Sequence, residues 1–383
     1  MAAGDFTKVT ALNIQRKLLD FFENPTMAQA EFNTPVATAE ALLTRQTAQI
    51  EPIFQGTQTM QGSVTPIKRT IGVNVHWLKS GVDSVTYNGA PGSAGLGATL
   101  GAGTELEGDE KTYTNNRGIV ARVDVDESPI SGSTFDFEEL SAQAIAKGMN
   151  DIRKKLNEYL VTFVNANSQT NQDTSVTDVD LGSGAWAVNA DGITIEVPKT
   201  DLKNVDTLAE IDAVLMNNEI FSEYMLLNGR HNFYNAQYNA DFKAQNDNER
   251  SIRATLNGHE LYWDTYALDQ QLSGRYTFGI SPNDYIIWNA SAFPADPLQL
   301  SPKDGMWVFS LADPMLSIRE NGIVRPVRYE VVYTREVNST RDSNMAPNLL
   351  HKYEIQFVGG VDMSPAEVGG GTGIVRFNGI DAV

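Results

Sequence analysis

The chain has 383 residues, 48 of them acidic and 29 basic, for a formal charge of −19, which excludes a simple binder of polyanions. Hydrophobic residues make up 41%, including 16 Phe, 13 Tyr and 5 Trp. That is enough for a packed core, and at this length roughly 75% of the unfolded chain's surface can be buried, in one large domain or two or three modest ones. The absence of Cys removes disulfides, thiolate zinc sites, iron–sulfur clusters and thiol nucleophiles together.

The first residues, Met1-Ala2-Ala3-Gly4-Asp5-Phe6, lack the apolar stretch of a signal peptide, and no window approaches a membrane span. The expectation is a chain made in the cytoplasm, with no membrane partner. Asn289-Ala290-Ser291 and Asn338-Ser339-Thr340 match the glycosylation sequon, but that matters only in a secretory compartment.

Residues 1–60 read as an arm with little core of its own. Leu12, Leu18, Leu19 and Phe22 line one side of a short helix that Asn24-Pro25 stops, and Val36 to Ile50 gives a second. With so few large apolar residues, the arm is expected to pack against something outside itself.

From Ile67 the apolar residues fall on alternate positions, Ile71, Val73, Val75 and Trp77, and again at Ile119, Ala121, Val123 and Val125. Between them, Asn88 to Gly103 holds six Gly and four Ala in 16 residues and no charge, a composition unable to build a core. The spacing predicts a long two-stranded hairpin with a flexible tip. Its glycines, Gly89, Gly92, Gly95, Gly97, Gly101 and Gly103, do not give G-x-G-x-x-G, and no G-K-[ST] follows.

Asp136 with Glu139 three residues on forms a capping box. Leu140, Ile145, Met149, Ile152, Leu156, Leu160 and Phe163 then recur at three- and four-residue steps. The predicted helix, about 136–165, is a rod of about 45 Å. Its outer face is expected to carry Lys147, Arg153, Lys154, Lys155 and Glu158.

Residues 166–204 are polar and turn-rich and read as an inserted surface loop with a small hairpin. Asp178-Val179-Asp180 lacks the remaining spacing of a calcium loop. Asp206 caps a second helix through Leu208, Ile211, Val214 and Leu215, leading into Tyr224 to Gly229, a short buried strand. A turn and strand at Leu256 to Asp264 and another strand at Tyr285 to Trp288 follow. Near the end, Val327, Tyr329, Val331, Tyr333 and Val337 alternate with charged residues, as do Tyr353, Ile355, Phe357 and Val361. Paired across the polar connection 338–348, they make a long hairpin that the long helix is placed to cover. The tail from Pro365, with Gly369-Gly370-Gly371, is expected to be mobile.

Catalytic chemistry is hard to place. His76, His231, His259 and His351 are far apart without H-E-x-x-H spacing, and there is no G-x-S-x-G elbow. His76 and His351 are assigned to the polar phase of their strands. Asp124 and Asp126 share one strand face, most economically as part of a charged surface with Arg122 and Lys68. The expectation is a builder without catalytic residues, cofactor or metal.

The order of elements, arm, Gly-tipped hairpin, long helix, second helix, short strands and final hairpin, resembles the Hong Kong 97-like major capsid proteins of tailed phages, to which encapsulins are related. Phe135 to Val164, Asp206 to Asp212 before Met225-Leu226-Leu227-Asn228-Gly229, and Leu256-Asn257-Gly258-His259-Glu260-Leu261 are the phrases that carry it; the last lacks the family's Pro. The resemblance implies an α+β capsid fold: N-arm 1–60, E-loop 61–127, P-domain 128–205 and 315–362 with its spine helix, A-domain 206–314 and tail 363–383. It implies self-assembly as pentamers and hexamers into an icosahedral shell around double-stranded DNA, in the virion of a phage made in a bacterial cytoplasm. The tip Asn88 to Gly103 would contact a neighbouring subunit. Partners would be the packaged DNA, held without sequence-specific contacts, a portal, a separate scaffold and decoration proteins. An encapsulin-type compartment is the rival reading, and an enzyme a distant third.

Overall fold

The computed structural model describes residues 6–23, 36–47, 72–78, 108–114, 116–126, 136–168, 187–189, 191–198, 211, 214–215, 224–230, 253–256, 259–289, 298–301, 306–320, 322–338, 348–363 and 373–380. Helices α1 (Lys8–Glu23), α2 (Ala37–Arg45), α3 (Phe137–Ala166) and α4 (Ala267–Gln271) accompany fifteen described strands. The class is α+β, as expected.

The long hairpin forms as its alternation predicts. β13 (Ile323–Asn338) pairs antiparallel with β14 (Asn348–Met363), setting Tyr333 opposite Tyr353 and Val337 opposite Leu349. β12 (Met306–Glu320) flanks β13 through a tight turn in which Glu320 faces Ile323 and Gly322 takes φ +76°, a left-handed conformation that glycine adopts freely. β11 (Leu298–Ser301) adds an edge to β12. On its other side β14 is shared by two strands in turn. β3 (Asn116–Asp126) takes Leu350 to Gly359, and β10 (Tyr285–Asn289) takes Gly359 to Met363.

β3 therefore corrects one expectation. The residues around Ile119 to Val125 do not pair with the strand before the Gly-rich stretch. Instead β1 (Gly72–Leu78) pairs with β2 (Gly108–Thr114), as a separate two-stranded ribbon. Gly-Asp-Glu-Lys-Thr-Tyr-Thr carries no apolar alternation, so the strand partner was missed, while β3 alternates because one of its faces lies under α3.

α3 runs over β3 and β14. At Gly148 the helix comes so close that an added Cβ would stand 2.7 Å from Ile355 Cδ1 and 3.3 Å from Val123 Cγ1. Ile145, Met149, Ile152, Leu156 and Leu160 are buried in the main core, with Leu140 and Phe163 partly buried against it. The arm is corrected too. α1 buries Ala11, Ile14 and Leu18, and α2 buries Ala41, Leu42 and Leu43, in the core of their own chain. Small residues let these helices lie close, so few large ones were needed. Leu19, expected inward, is exposed.

The second sheet has seven strands in the order β4 (Ala187–Val188), β5 (Thr194–Pro198), β15 (Ile374–Ile380), β9 (Tyr276–Ile280), β6 (Met225–Asn228), β8 (His259–Trp263) and β7 (Arg253–Leu256). The tail expected to be mobile supplies β15, parallel to β5 and antiparallel to β9, with Ile374, Val375 and Phe377 buried. Its alternation spans too few residues to stand out beside the glycines. The small hairpin expected in 166–204 is present as β4 and β5, but as the edge of this sheet rather than a free loop. Ile211, Val214 and Leu215 of the expected second helix are helical and buried against it; Asp206 lies outside the described residues. β10, β11 and β12 belong to the six-stranded sheet, so the boundary at 314 that the resemblance implies falls inside β12.

Candidate functional site

Among the described residues no group of three His, Asp or Glu is placed to hold a metal, and no helix is long and apolar enough to cross a membrane. Asp124 lies opposite Lys352 and Arg122 opposite Glu354, with Arg122 Nε donating to Glu354 Oε2 at 2.9 Å. Asp124 thus belongs to a charged strand face. His351 is not on the polar phase. It shares its parity with Tyr353 and Ile355, is buried, and sets Nδ1 2.8 Å from the Tyr333 hydroxyl and its ring 4.2 Å from that of Phe137. His231, the side chains of His76 and His259, and Asp178-Val179-Asp180 lie outside the described residues.

What the described residues do contain is a joint. Asp136 caps α3, its carboxylate accepting from Glu139 N–H at 2.7 Å, and Lys17 of α1 pairs with the same carboxylate. Asn13 Nδ2 donates to Glu138 Oε1 at 2.9 Å, so α1 is tied to the first turn of α3 twice.

Further along α3, Arg153 was expected outside. It is 2% exposed. Its Nε donates to Asp313 Oδ2 at 2.7 Å and its Nη2 to Asp313 Oδ1 at 2.6 Å, a bidentate pair, and the ring of Phe22 lies 4.9 Å from the guanidinium carbon. Asp313 sits where β12 leaves register with β13 between Ala312 and Ser317. There the carboxylate takes over the ladder's role, accepting from Met315 N–H at 2.8 Å and Leu316 N–H at 3.0 Å, and from the Tyr329 hydroxyl at 2.6 Å. Burial opposes the charge of Arg153, yet the hydrogen bonds and charge of Asp313 hold it above its ordinary pKa. Burial, then Asp313, push the Tyr329 hydroxyl well above its own. The signal that would have found this site is Asp313-Pro314, because a proline inside a strand marks a bulge. Lys155 does face out, paired with the partly buried Glu158.

A second buried carboxylate holds α2. Asp264 accepts from the Thr38 hydroxyl through Oδ2, from Asn157 Nδ2 at 2.7 Å, and through Oδ1 from Tyr266 and Ala267 N–H at 3.0 and 2.8 Å. Asn157 Oδ1 in turn accepts Ala39 N–H at 2.8 Å. Arg45 reaches Glu260 and the Tyr262 hydroxyl, while Leu42 O accepts the Tyr285 hydroxyl at 2.9 Å. One nine-residue helix thereby bridges α3, the six-stranded sheet and the seven-stranded sheet.

The C-terminal strand is tied equally firmly. Arg376 donates to Thr194 Oγ1 at 2.7 Å, to Asn165 Oδ1 near the end of α3 at 2.8 Å, and to Asp191 Oδ2 at 2.8 Å. The predicted contact tip, Asn88, Gly89, Gly92, Gly95, Gly97, Gly101 and Gly103, lies outside the described residues, which include only the ribbon strands on either side.

Among solved structures, the chain is similar to the asymmetric unit of the bacteriophage PhiM1 mature capsid, at 10% identity and a TM-score of 0.41 over 84% of this chain and 85% of that one. It is similar to the cyanophage Pam1 capsid asymmetric unit, at 10% identity and a TM-score of 0.43 over 83% and 86%. A structure from Mycobacterium phage Cain matches at 12% identity and a TM-score of 0.41 over 94% and 99%. No protein-family model matches the sequence, and no curated protein does.

Proposed function

We propose that this chain is the building block of a closed protein shell, the major capsid protein of a tailed bacteriophage, and that it has no catalytic role. The observation that carries the reading is the β1–β2 ribbon. Among the described residues it forms a two-stranded sheet by itself, while β3 returns into the six-stranded sheet. A lone two-stranded ribbon is marginal in water. Residues 79–107 between its strands include the uncharged Gly-rich stretch, a composition unsuited to building a core. Such a ribbon gains its stability from a neighbouring subunit, and the tip Asn88 to Gly103 is where that neighbour is met.

The rest of the molecule supports the ribbon as a rigid base. A 30-residue helix, two arm helices and two sheets share one core, joined by the Arg153–Asp313 and Asp264 networks. An arm 1–60, an E-loop whose described part is the β1–β2 ribbon, a P-domain built on α3 and an A-domain containing the seven-stranded sheet describe the division of labour. Pentamers and hexamers of this subunit would close into an icosahedral shell. At −19 per chain the shell would not grip its genome through specific phosphate contacts, which leaves double-stranded DNA free to move in and out. A portal, a separate scaffold and decoration proteins complete the set of partners, and the virion is the place of work.

The test is assembly. Size-exclusion chromatography with light scattering at moderate salt is expected to show capsomers or particles, and a chain monomeric under all conditions sinks the proposal. Deleting Gly89 to Gly101 is expected to leave circular dichroism unchanged and to abolish shells. The isopeptide cross-linking of the family this chain resembles needs a Lys in that loop, and none lies between Asn88 and Gly103, so boiled particles are expected to run as monomers on a denaturing gel.

A further inference from the structure

The turn between β12 and β13 is the most exposed apolar point among the described residues. Every residue from Gly322 to Pro326 is exposed, with Ile323 at 69% and Val324 at 61% of their surface open. Adjacent strand residues point to opposite faces, so the ribbon end is apolar on both sides.

This end is also pinned. Glu320, almost fully buried, pairs with Arg325 and accepts Asn289 N–H at 3.1 Å. The Asn289 side chain stitches β13 to β14, its Oδ1 accepting Arg328 N–H at 2.7 Å and its Nδ2 donating to Arg328 O at 3.0 Å and Val358 O at 3.1 Å. Gln46, the residue after α2, donates to Arg319 O. Two β-branched residues are therefore held out in water by an ordered frame rather than left on a loose loop, a cost that binding would recover.

The charge around them is opposite to that of the whole chain. Arg319, Arg325 and Arg328 stand against the single carboxylate of Glu320. Among the described residues neither Arg319 nor Arg328 has an ion pair. Burial first, and the charge of Arg328 second, lower the pKa of Arg325.

We propose that the β12–β13 turn docks into a second copy of this chain, Ile323 and Val324 entering an apolar depression whose rim carboxylates meet Arg319 and Arg328. Charge complementarity picks the occupant. The chain as a whole carries 48 acidic against 29 basic residues, while this segment carries three Arg against one Glu, and two copies meeting turn to turn would set like guanidiniums together. Duplex DNA would satisfy the arginines but would leave two β-branched side chains against phosphate, and the −19 chain repels it. The proposal rests on the shell reading and adds which surface closes the shell.

The chain has no Cys, so Val324→Cys in the full-length protein gives one thiol whose modification rate reports access. Maleimide-polyethylene glycol is expected to label it at least about tenfold more slowly in particles than in dissociated subunits, because reactivity follows exposure. Equal rates, checked again with Ile323→Cys, overturn the contact. The double variant Ile323→Ser, Val324→Ser is expected to keep its circular dichroism and lose assembly; normal yields of particles would overturn the proposal. Arg328→Glu is expected to slow assembly and leave fluorescence anisotropy of added duplex DNA unchanged. Should it instead abolish DNA binding while shells form normally, the surface is a nucleic-acid contact and the proposal is wrong. A wild-type chain that never assembles ends the shell reading along with it. Particles that form yet leave Val324→Cys reactive end this contact alone.

Discussion

The two sheets are built on different terms. The six-stranded sheet draws three of its strands, β12, β13 and β14, from one stretch between Met306 and Met363, and their shared registers follow from short connections. The seven-stranded sheet is collected from residue 187 to residue 380, with β15 arriving last to sit between β5 and β9. Its two faces are both buried. Met225, Leu227, Phe278 and Ile280 join the main core, while Leu226, Leu261, Trp263, Val375 and Phe377 form a second cluster on the other side. Local pairing makes the first sheet legible and quick to nucleate. The second depends on distant contacts that close only when the chain is complete.

The most severe way to test that difference is to remove β15. Ending the chain at residue 372 takes away Ile374, Val375 and Phe377, all fully buried, along with the backbone that joins β5 to β9. Losing one buried Phe costs about 3–5 kcal/mol, so the three together approach the ~5–15 kcal/mol that stabilises a whole domain. The truncated chain is expected to be insoluble or to lose its near-ultraviolet circular dichroism. A soluble, cooperatively melting truncation would mean that β15 is dispensable and that the sheet is organised locally after all.

The next test strikes the helix that covers the local sheet. Leu156 is buried and Lys155 beside it is exposed. Leu156→Asp is expected to cost more than about 4 kcal/mol by burying a charge among apolar groups and to give insoluble protein. Lys155→Asp is expected to change stability by within about 0.5 kcal/mol and to stay soluble. Equal tolerance in urea denaturation would show that the helix register is misplaced.

Legibility follows the same divide. Tyr329, Val331 and Tyr333 were readable because one face of their strand meets α3 and the other carries charge. The strand Met225 to Asn228 was readable only as a buried run, without a partner, because a strand covered on both faces shows no alternation. β2 was invisible for the opposite reason, since Gly108 to Thr114 is polar throughout. The polar joints were missed because a helical wheel sorts Arg153 by its charge. Only the fold brings the Asp313 carboxylate, 160 residues away, to the inner face of α3. The turn between β12 and β13 was legible in principle, since Asn321-Gly322 is a strong hairpin signal.

Arg153 gives the third and intermediate effect. Arg153→Ala leaves Asp313 buried without its cation, and breaking a buried pair from one side costs about 3–5 kcal/mol. The loss is expected to fall on the local sheet, since Asp313 also holds Met315 and Leu316 N–H where β12 leaves register. Hydrogen exchange is expected to speed up in β12 and β13 before it does in β9. Uniform acceleration across both sheets would show that they open as one unit, and the contrast between them would then be one of assembly order only.

The smallest effect separates the arm from the helix it rests on. Asp136 caps α3 and pairs with Lys17 of α1. Burial alone would raise its pKa, but the bond from Lys17 and those from Glu139 and Glu138 N–H outweigh burial and hold it below the usual carboxylate value. A folded pKa below the unfolded value of about 3.9 stabilises the folded state above that pH, and the gain is lost as pH falls through the folded pKa. Asp136→Ala is expected to cost about 1 kcal/mol at pH 7, the usual value of an N-cap. Asp136→Asn keeps an oxygen for Glu139 N–H and gives up only the half-exposed Lys17 pair, worth about 0–1 kcal/mol. Urea midpoints of wild type and Asp136→Asn are therefore expected to converge as the buffer is taken from pH 7 down through the acid range, because protonated aspartic acid and asparagine hold the cap alike. If they stay equally far apart at every pH, Lys17 contributes nothing through charge. α1 would then be held on α3 by Ala11, Ile14 and Leu18 alone.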